Sequence, residues 1–196
     1  MKKKEILHII PNMSDFGGTP NKIKLLVKHK SENINYTILN FNKKDENFEN
    51  KKYIEKNSKY INIELSKFNI LKNLYLIYIE IKKIKFDIIC THFFKSSFYG
   101  YLISIIFRKK IIIFENGVID YKSFVKEIIF KIIGLRAKVI ICNSEITRDG
   151  VKSRYNKNKI KIIYNGIEKI NKIKSKSISN NKFKLLFIGG LIKLRN

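Results

Sequence analysis

Cysteine, histidine and tryptophan are scarce in this sequence. Its 196 residues hold two Cys, three His and no Trp, with only two Pro. Two cysteines cannot build a disulfide framework. Cys90 and Cys142 each sit inside an apolar run, where a thiol serves as a small buried hydrophobe of a reducing compartment. The histidines, His8, His29 and His92, lie scattered without ligand spacing, which argues against a metal centre. A P-loop and a nucleophilic triad are missing as well. No stretch approaches the ~20 apolar residues that a bilayer crossing needs. The greasiest, "YLISIIF" at 101–107 and "KIIIF" at 110–114, are separated by Arg108 and Lys109. The apolar part of "MKKKEILHIIPN" falls short of a signal-peptide core of roughly 7–15 residues. These absences together predict a cytoplasmic protein.

Acidic residues are the other shortage: 16 Asp and Glu face 41 Lys and Arg, a formal net charge of +25. Such a charge suits a polyanionic partner, whether nucleic acid, anionic lipid or a phosphorylated substrate. The basic residues are overwhelmingly Lys, and Ile and Asn are also abundant, so compositional drift explains much of the excess. The scarcity of Arg, the usual reader of base edges and bidentate phosphate contacts, argues against nucleic acid. At 44% hydrophobic, the composition is that of an ordinary globular domain.

The period of the apolar pattern switches repeatedly along the chain. Short Val/Ile-rich runs at 5–10, 35–41, 60–65, 86–92, 110–114, 137–142 and 160–166 read as strands. Between them, 20–30, the Leu71–Ile81 stretch, 96–107, 121–133 and the segment opening at Ser144 carry helical spacing, with Pro20 placed for a first turn and Ser144 for an N-cap. Residues 42–59 read as a polar surface loop. Buried strands alternating with helices predict an α/β fold, a Rossmann-like, doubly wound parallel sheet. The composition shifts at 168–182 to a polar Ser/Asn/Lys linker, and "KLLFIG" starts a new strand. The expected organisation is a domain over 1–167, a linker over 168–182, and the first strand and turn of a second domain over 183–196.

Ligands of open α/β sheets bind at the carboxyl ends of the strands, so the loops that follow strands hold the candidate site. Gly17 and Gly18 in "SDFGGTPNK" can expose backbone N–H groups to a phosphate or sugar hydroxyl, or simply form a tight strand-to-helix turn. No dinucleotide fingerprint accompanies them. His92 in "FDIICTH" falls at a strand end, where an imidazole faces a cleft or satisfies a structural hydrogen bond. In "FENGVID", Glu115 and Asn116 can bind sugar hydroxyls, Glu115 can act as a general base, or Asn-Gly can merely turn the chain. Asn165 and Gly166 in "IIYNGIE" make a turn before the linker.

Taken in order, "FGGTPNK", "FDIICTH", "VIICNSE", "IIYNGIE" and "LLFIGGLIKLRN" resemble the GT-B glycosyltransferases of family 4. The motifs are individually weak; their order and spacing carry the likeness. The resemblance implies one half of a GT-B fold, the N-terminal, acceptor-side domain of an enzyme that uses a nucleotide-diphospho-sugar as co-substrate, with no metal or other cofactor. It implies donor contacts at Gly17, Gly18 and Arg195, an acceptor-side cleft at His92, Glu115 and Asn116, and an interdomain turn at Asn165 and Gly166. The acceptor it implies is a glycan or lipid-linked glycan of cell-surface polysaccharide synthesis, transferred with retention, which gives the positive charge a use at an anionic membrane. This chain departs from the pattern in three places. Asn116 stands where the family often has His, Gly190 and Arg195 replace the usual Arg and Lys of the phosphate turn, and Thr19-Pro20 replaces Ala-Glu. The paired glutamates of the C-terminal domain are not in this sequence, so the expectation is a half that transfers nothing alone. The alternative is a non-catalytic basic α/β module that binds a phosphorylated ligand, membrane or nucleic acid.

Overall fold

A computed structural model describes residues 3–13, 17–41, 49–66, 68–117 and 124–168. The chain divides after Gly166, and every helix and strand among the described residues belongs to the first unit, Met1–Gly166. Arg195, Gly190 and the expected strand and turn over 183–196 lie outside the described residues, as does the linker beyond Glu168.

Seven parallel strands form one sheet in the order β3-β2-β1-β4-β5-β6-β7. They are β1 (Lys4–Ile10), β2 (Ile34–Asn40), β3 (Lys59–Asn62), β4 (Ile88–His92), β5 (Lys110–Glu115), β6 (Val139–Cys142) and β7 (Ile160–Ile162). The helices are α1 (Gly18–Lys28), α2 (Glu49–Asn57), α3 (Ile70–Ile81), α4 (Phe93–Ile106), α5 (Phe124–Arg136) and α6 (Glu145–Val151). The strand order reverses between β1 and β4, the switch point at which doubly wound sheets open a crevice.

Both faces of the sheet are covered, which is why the strands read as nearly unbroken apolar runs. On one face, Ile10, Ile23, Val27, Ile38 and Ile54 pack β1 and β2 against α1 and α2. On the other, Leu7, Ile9, Ile89, Ile111, Ile113 and Ile140 meet Ile77, Ile81, Ile103, Phe130 and Ile133 of α3, α4 and α5. Two glycines set the closest approaches. A Cβ on Gly100 of α4 would sit 2.4 Å from Thr91 Cγ2, and one on Gly134 of α5 would sit 2.4 Å from Tyr155 Cδ1. Cys90 and Cys142 are buried and unbridged.

The surface loop expected over 42–59 is corrected in its second half, where Glu49–Asn57 form α2. Its sequence, ENKKYIEKN, has Tyr53 and Ile54 as its large apolar residues, adjacent in the chain, and so shows no apolar repeat at helical spacing. Tertiary contacts supply what propensity does not: Ile54 enters the core under α1, and Asn50 Nδ2 donates to Asn21 Oδ1 at 2.9 Å. The strand expected over 60–65 shortens to Lys59–Asn62, and that over 160–166 to Ile160–Ile162.

Candidate functional site

Side chains on a strand alternate between faces, and the register of neighbouring strands decides which of them meet. His8 of β1 pairs with Cys90 of β4, and His92 lies two residues further along on the same face. Two histidines 84 positions apart in sequence are thereby brought together, with Nδ1 of His8 3.1 Å from Nε2 of His92. The sequence shows them as scattered residues; adjacency of β1 and β4 at the switch point makes them a pair. Phe114 of β5 stands opposite His92 in register and stacks on its ring at 4.8 Å between centroids. Both imidazoles are almost wholly enclosed.

Lys22 closes this cluster from α1. Its Nζ lies 4.7 Å from the centroid of the Phe114 ring and donates to Asn116 Oδ1 at 2.9 Å. With Oδ1 accepting from the ammonium, Asn116 Nδ2 points inward, 3.5 Å from His92 Nδ1 and 3.4 Å from the Phe114 carbonyl. The backbone of Asn116 is fixed as well: Asn143 Nδ2 donates to its carbonyl at 3.0 Å, and Thr147 Oγ1 donates to Asn143 Oδ1 at 2.8 Å. Ser144, the expected N-cap of α6, accepts from the Thr147 amide at 3.1 Å. A ladder of amides and hydroxyls, closed by the Lys22 ammonium, thus joins α6 to α1 across the carboxyl edge of the sheet.

Burial decides the charges here. Loss of solvent, reinforced by the Lys22 charge, lowers the His8 pKa to about 3. His92 is likewise held well below the ordinary imidazole range by burial, then by His8 and Lys22. Partial burial lowers Lys22 to about 8. Near neutral pH the cluster therefore presents two neutral rings under one ammonium whose acceptors among the described residues are an amide oxygen and a ring face.

The expected site residues divide. His92 and Asn116 are together. Glu115 is not beside them, as strand alternation requires: its side chain leaves β5 on the opposite face. There Tyr155 Oη donates to Glu115 Oε1 at 2.6 Å, and the residue is only 6% exposed. Burial raises the pKa of this carboxyl, partly offset by the Tyr155 hydrogen bond and the Arg154 charge. Gly17 and Gly18 open α1 at the carboxyl edge. Gly17, the N-cap, gives no side-chain cap, the first turn has no acidic residue, and the space beside Gly18 is open. Asn165 and Gly166 are exposed beyond β7. Lys22 and His8 escape sequence reading. The one signal for them is topological: in a doubly wound order β1 and α1 flank the same crevice as β4.

The turn into α4 is also unusual. His92 is at once the last residue of β4 and the N-cap of α4, and Phe93 takes φ of 68° to turn the chain without a loop. A bulky residue in left-handed backbone costs roughly 1–2 kcal/mol and marks a strained junction beside the cluster.

Comparisons with known proteins agree with this architecture. The family model described as Glycosyltransferase Family 4 matches residues 21–169. Among curated proteins, none matches the sequence. Among solved structures, a glycosyltransferase from Rickettsia africae is 21% identical with a TM-score of 0.69, covering 85% of this chain and 44% of that one. HepE of Anabaena, solved in complex with UDP and glucose, is 17% identical with a TM-score of 0.68 over 84% of this chain and 45% of its own. The lipopolysaccharide outer core galactosyltransferase WaaB, in its apo form, is 19% identical with a TM-score of 0.61, covering 83% and 46%. At these identities the likeness is one of fold, and the chain spans less than half the length of each. The match to the family model, over most of the described residues, shows that this chain belongs to glycosyltransferase family 4.

Proposed function

We propose that this chain supplies the acceptor-side half of an enzyme that moves a sugar from a nucleotide-diphospho-sugar to a glycan or lipid-linked glycan. The observation that carries the reading is the Lys22–Asn116–His92 cluster at the switch point of the sheet. The binding of UDP and glucose by HepE, a protein of similar fold, supports a nucleotide sugar as the ligand.

In this reading each group has a limited task. Lys22 offers N–H groups and a positive charge to an anion that approaches past the uncapped start of α1. Asn116 keeps one lone pair of Oδ1 for a sugar hydroxyl, because its amide hydrogens face inward. The neutral imidazoles form a dry, polarisable floor that keeps Asn116 in one orientation. Gly17 and Gly18 let a ligand approach the backbone closely. Asn165 and Gly166 form the turn towards the remainder of the enzyme, and Arg195 contacts the donor. No metal takes part, transfer proceeds with retention, and the half alone is inactive. The product belongs to cell-surface polysaccharide synthesis, and the lipid-linked acceptor brings the cationic chain to an anionic membrane.

The test is calorimetric titration of UDP and UDP-glucose into this chain, and into this chain joined to a second Rossmann domain of the family. Weak binding by the first and tight binding with transfer by the second is expected. Equal tight binding by both would contradict the placement of most of the donor pocket outside this half.

A further inference from the structure

Helix α5 is apolar on two sides, and among the described residues only one of them packs into the core. Its inner side inserts Phe130 and Ile133 into the core. Polar ties lock that docking along the length of the helix. Arg154 Nε donates to Glu127 at 2.8 Å, Arg136 Nε donates to Ser104 Oγ at 2.7 Å, and Lys159 Nζ donates to the Leu135 carbonyl at 2.7 Å. The rotation of α5 about its axis is therefore fixed.

Its outer side carries Phe124, Val125, Ile128, Ile132 and Leu135, all exposed, with Phe124 at 79% and Leu135 at 78%. At 3.6 residues per turn these five fall within about 100° of arc, a continuous stripe about 17 Å long. A stripe of this kind is not a scatter of single surface hydrophobes. Along α5 itself the charge beside it is basic. Lys131 borders it and Lys138 follows the helix, while the one acid of α5, Glu127, is turned inward to Arg154.

We infer that the outer face of α5 is a membrane-docking surface, with the surface of an anionic bilayer as its occupant. This deepens the membrane-bound acceptor of the proposed function and rests on it. Charge complementarity selects the partner. A stripe of large apolar residues with a cationic border is the pattern of an interfacial helix that lies in the headgroup boundary. A second copy of this chain is disfavoured, because each copy carries a net charge of +25. No helix among the described residues is long and apolar enough to cross a membrane, so the contact is made by lying on the surface.

The experiment is co-sedimentation of the full chain with vesicles of equal parts phosphatidylglycerol and phosphatidylcholine, and with phosphatidylcholine alone. The triple variant Ile128→Gln, Ile132→Gln, Leu135→Gln keeps the charge and leaves the core untouched, and its thermal melt confirms folding. Wild type should bind the anionic vesicles, and the variant should bind on the order of 100-fold more weakly. Since the chain has no Trp, Phe124→Trp gives a single reporter whose emission should shift to the blue on anionic vesicles only. Failure of wild type to bind any vesicle would overturn the membrane reading together with this one. Binding by the variant equal to wild type, with unchanged Trp emission, would overturn the α5 assignment while the membrane reading stands. A wild-type dimer in sedimentation equilibrium that the variant dissolves would assign the face to a second copy and overturn it too.

Discussion

Nε2 of His92 lies 3.1 Å from Nδ1 of His8, and Asn116, from outside the pair, decides which of the two rings donates. With Lys22 on Oδ1, the amide of Asn116 turns its N–H towards His92 Nδ1, which must therefore accept. Both rings are then neutral and carry their proton on Nε2. Nitrogen-15 NMR should report that tautomer at both residues, unchanged from pH 8 down to about 5, where an ordinary imidazole is already protonated.

Burial of two neutral imidazoles couples stability to acid. Above pH ~6.5 the folded and unfolded chains both hold these rings uncharged, and nothing is lost. Below it the unfolded chain takes up protons that the folded His8 refuses until about pH 3. Stability should therefore fall with decreasing pH through this window, by about 1.4 kcal/mol per pH unit for each ring that stays neutral. Urea denaturation at pH 7, 6 and 5 checks the slope, and His8→Gln should flatten it.

Lys22→Met removes the donor that orients Asn116. The amide is then free to rotate, and the His92 nitrogen shifts should move towards a mixture of tautomers. In wild type the ammonium titrates at about pH 8. Any affinity for UDP should fall as pH rises through that value, while the Met variant should be weaker and indifferent to pH over the same range. Titrations at pH 7 and 9 measure both.

On the far face of the sheet, Tyr155→Phe should cost about 1–3 kcal/mol, because Glu115 keeps its burial and loses its 2.6 Å donor. Glu115→Gln should recover part of that loss in the double variant, since a neutral amide is cheaper to bury. Equilibrium denaturation of the three proteins gives the comparison.

Gly134→Ala places a Cβ 2.4 Å from a Tyr155 ring that cannot retreat without releasing Glu115. The expected cost is about 1–3 kcal/mol, the usual range for overpacking, with an accompanying shift in Tyr155 ring resonances. The same substitution at Gly18, where the surroundings are open, should leave stability within about 0.5 kcal/mol.

Much of the fold was legible because parallel strands covered on both faces must be apolar throughout. The runs around Ile6–Ile10, Ile88–Cys90 and Ile111–Phe114 could hardly be anything else. Helix α2 was not legible, since one isoleucine among nine residues makes no periodic pattern until α1 is beside it. At the site, His92 and Asn116 were visible as residues that directly follow a strand. Their partners were not: Lys22 looks like one lysine among many on a solvated helix, and His8 like a filler of β1. What makes them special is the placing of β1 next to β4, a property of the order of the strands rather than of any one of them. Glu115 shows the opposite case. Proximity in sequence to Asn116 suggested a shared cleft, and the pleat of the strand separates them.

That separation limits how this gene can vary. Glu115 and Asn116 are neighbours in the chain, but one serves the interior and the other the crevice. An insertion or deletion of one residue within β5 would exchange them, sending a carboxylate against two uncharged imidazoles and an amide towards Tyr155. Single substitutions in this strand are graded injuries; a change of length there reverses the polarity of both faces at once. Length variation should therefore accumulate in the connections and spare β5.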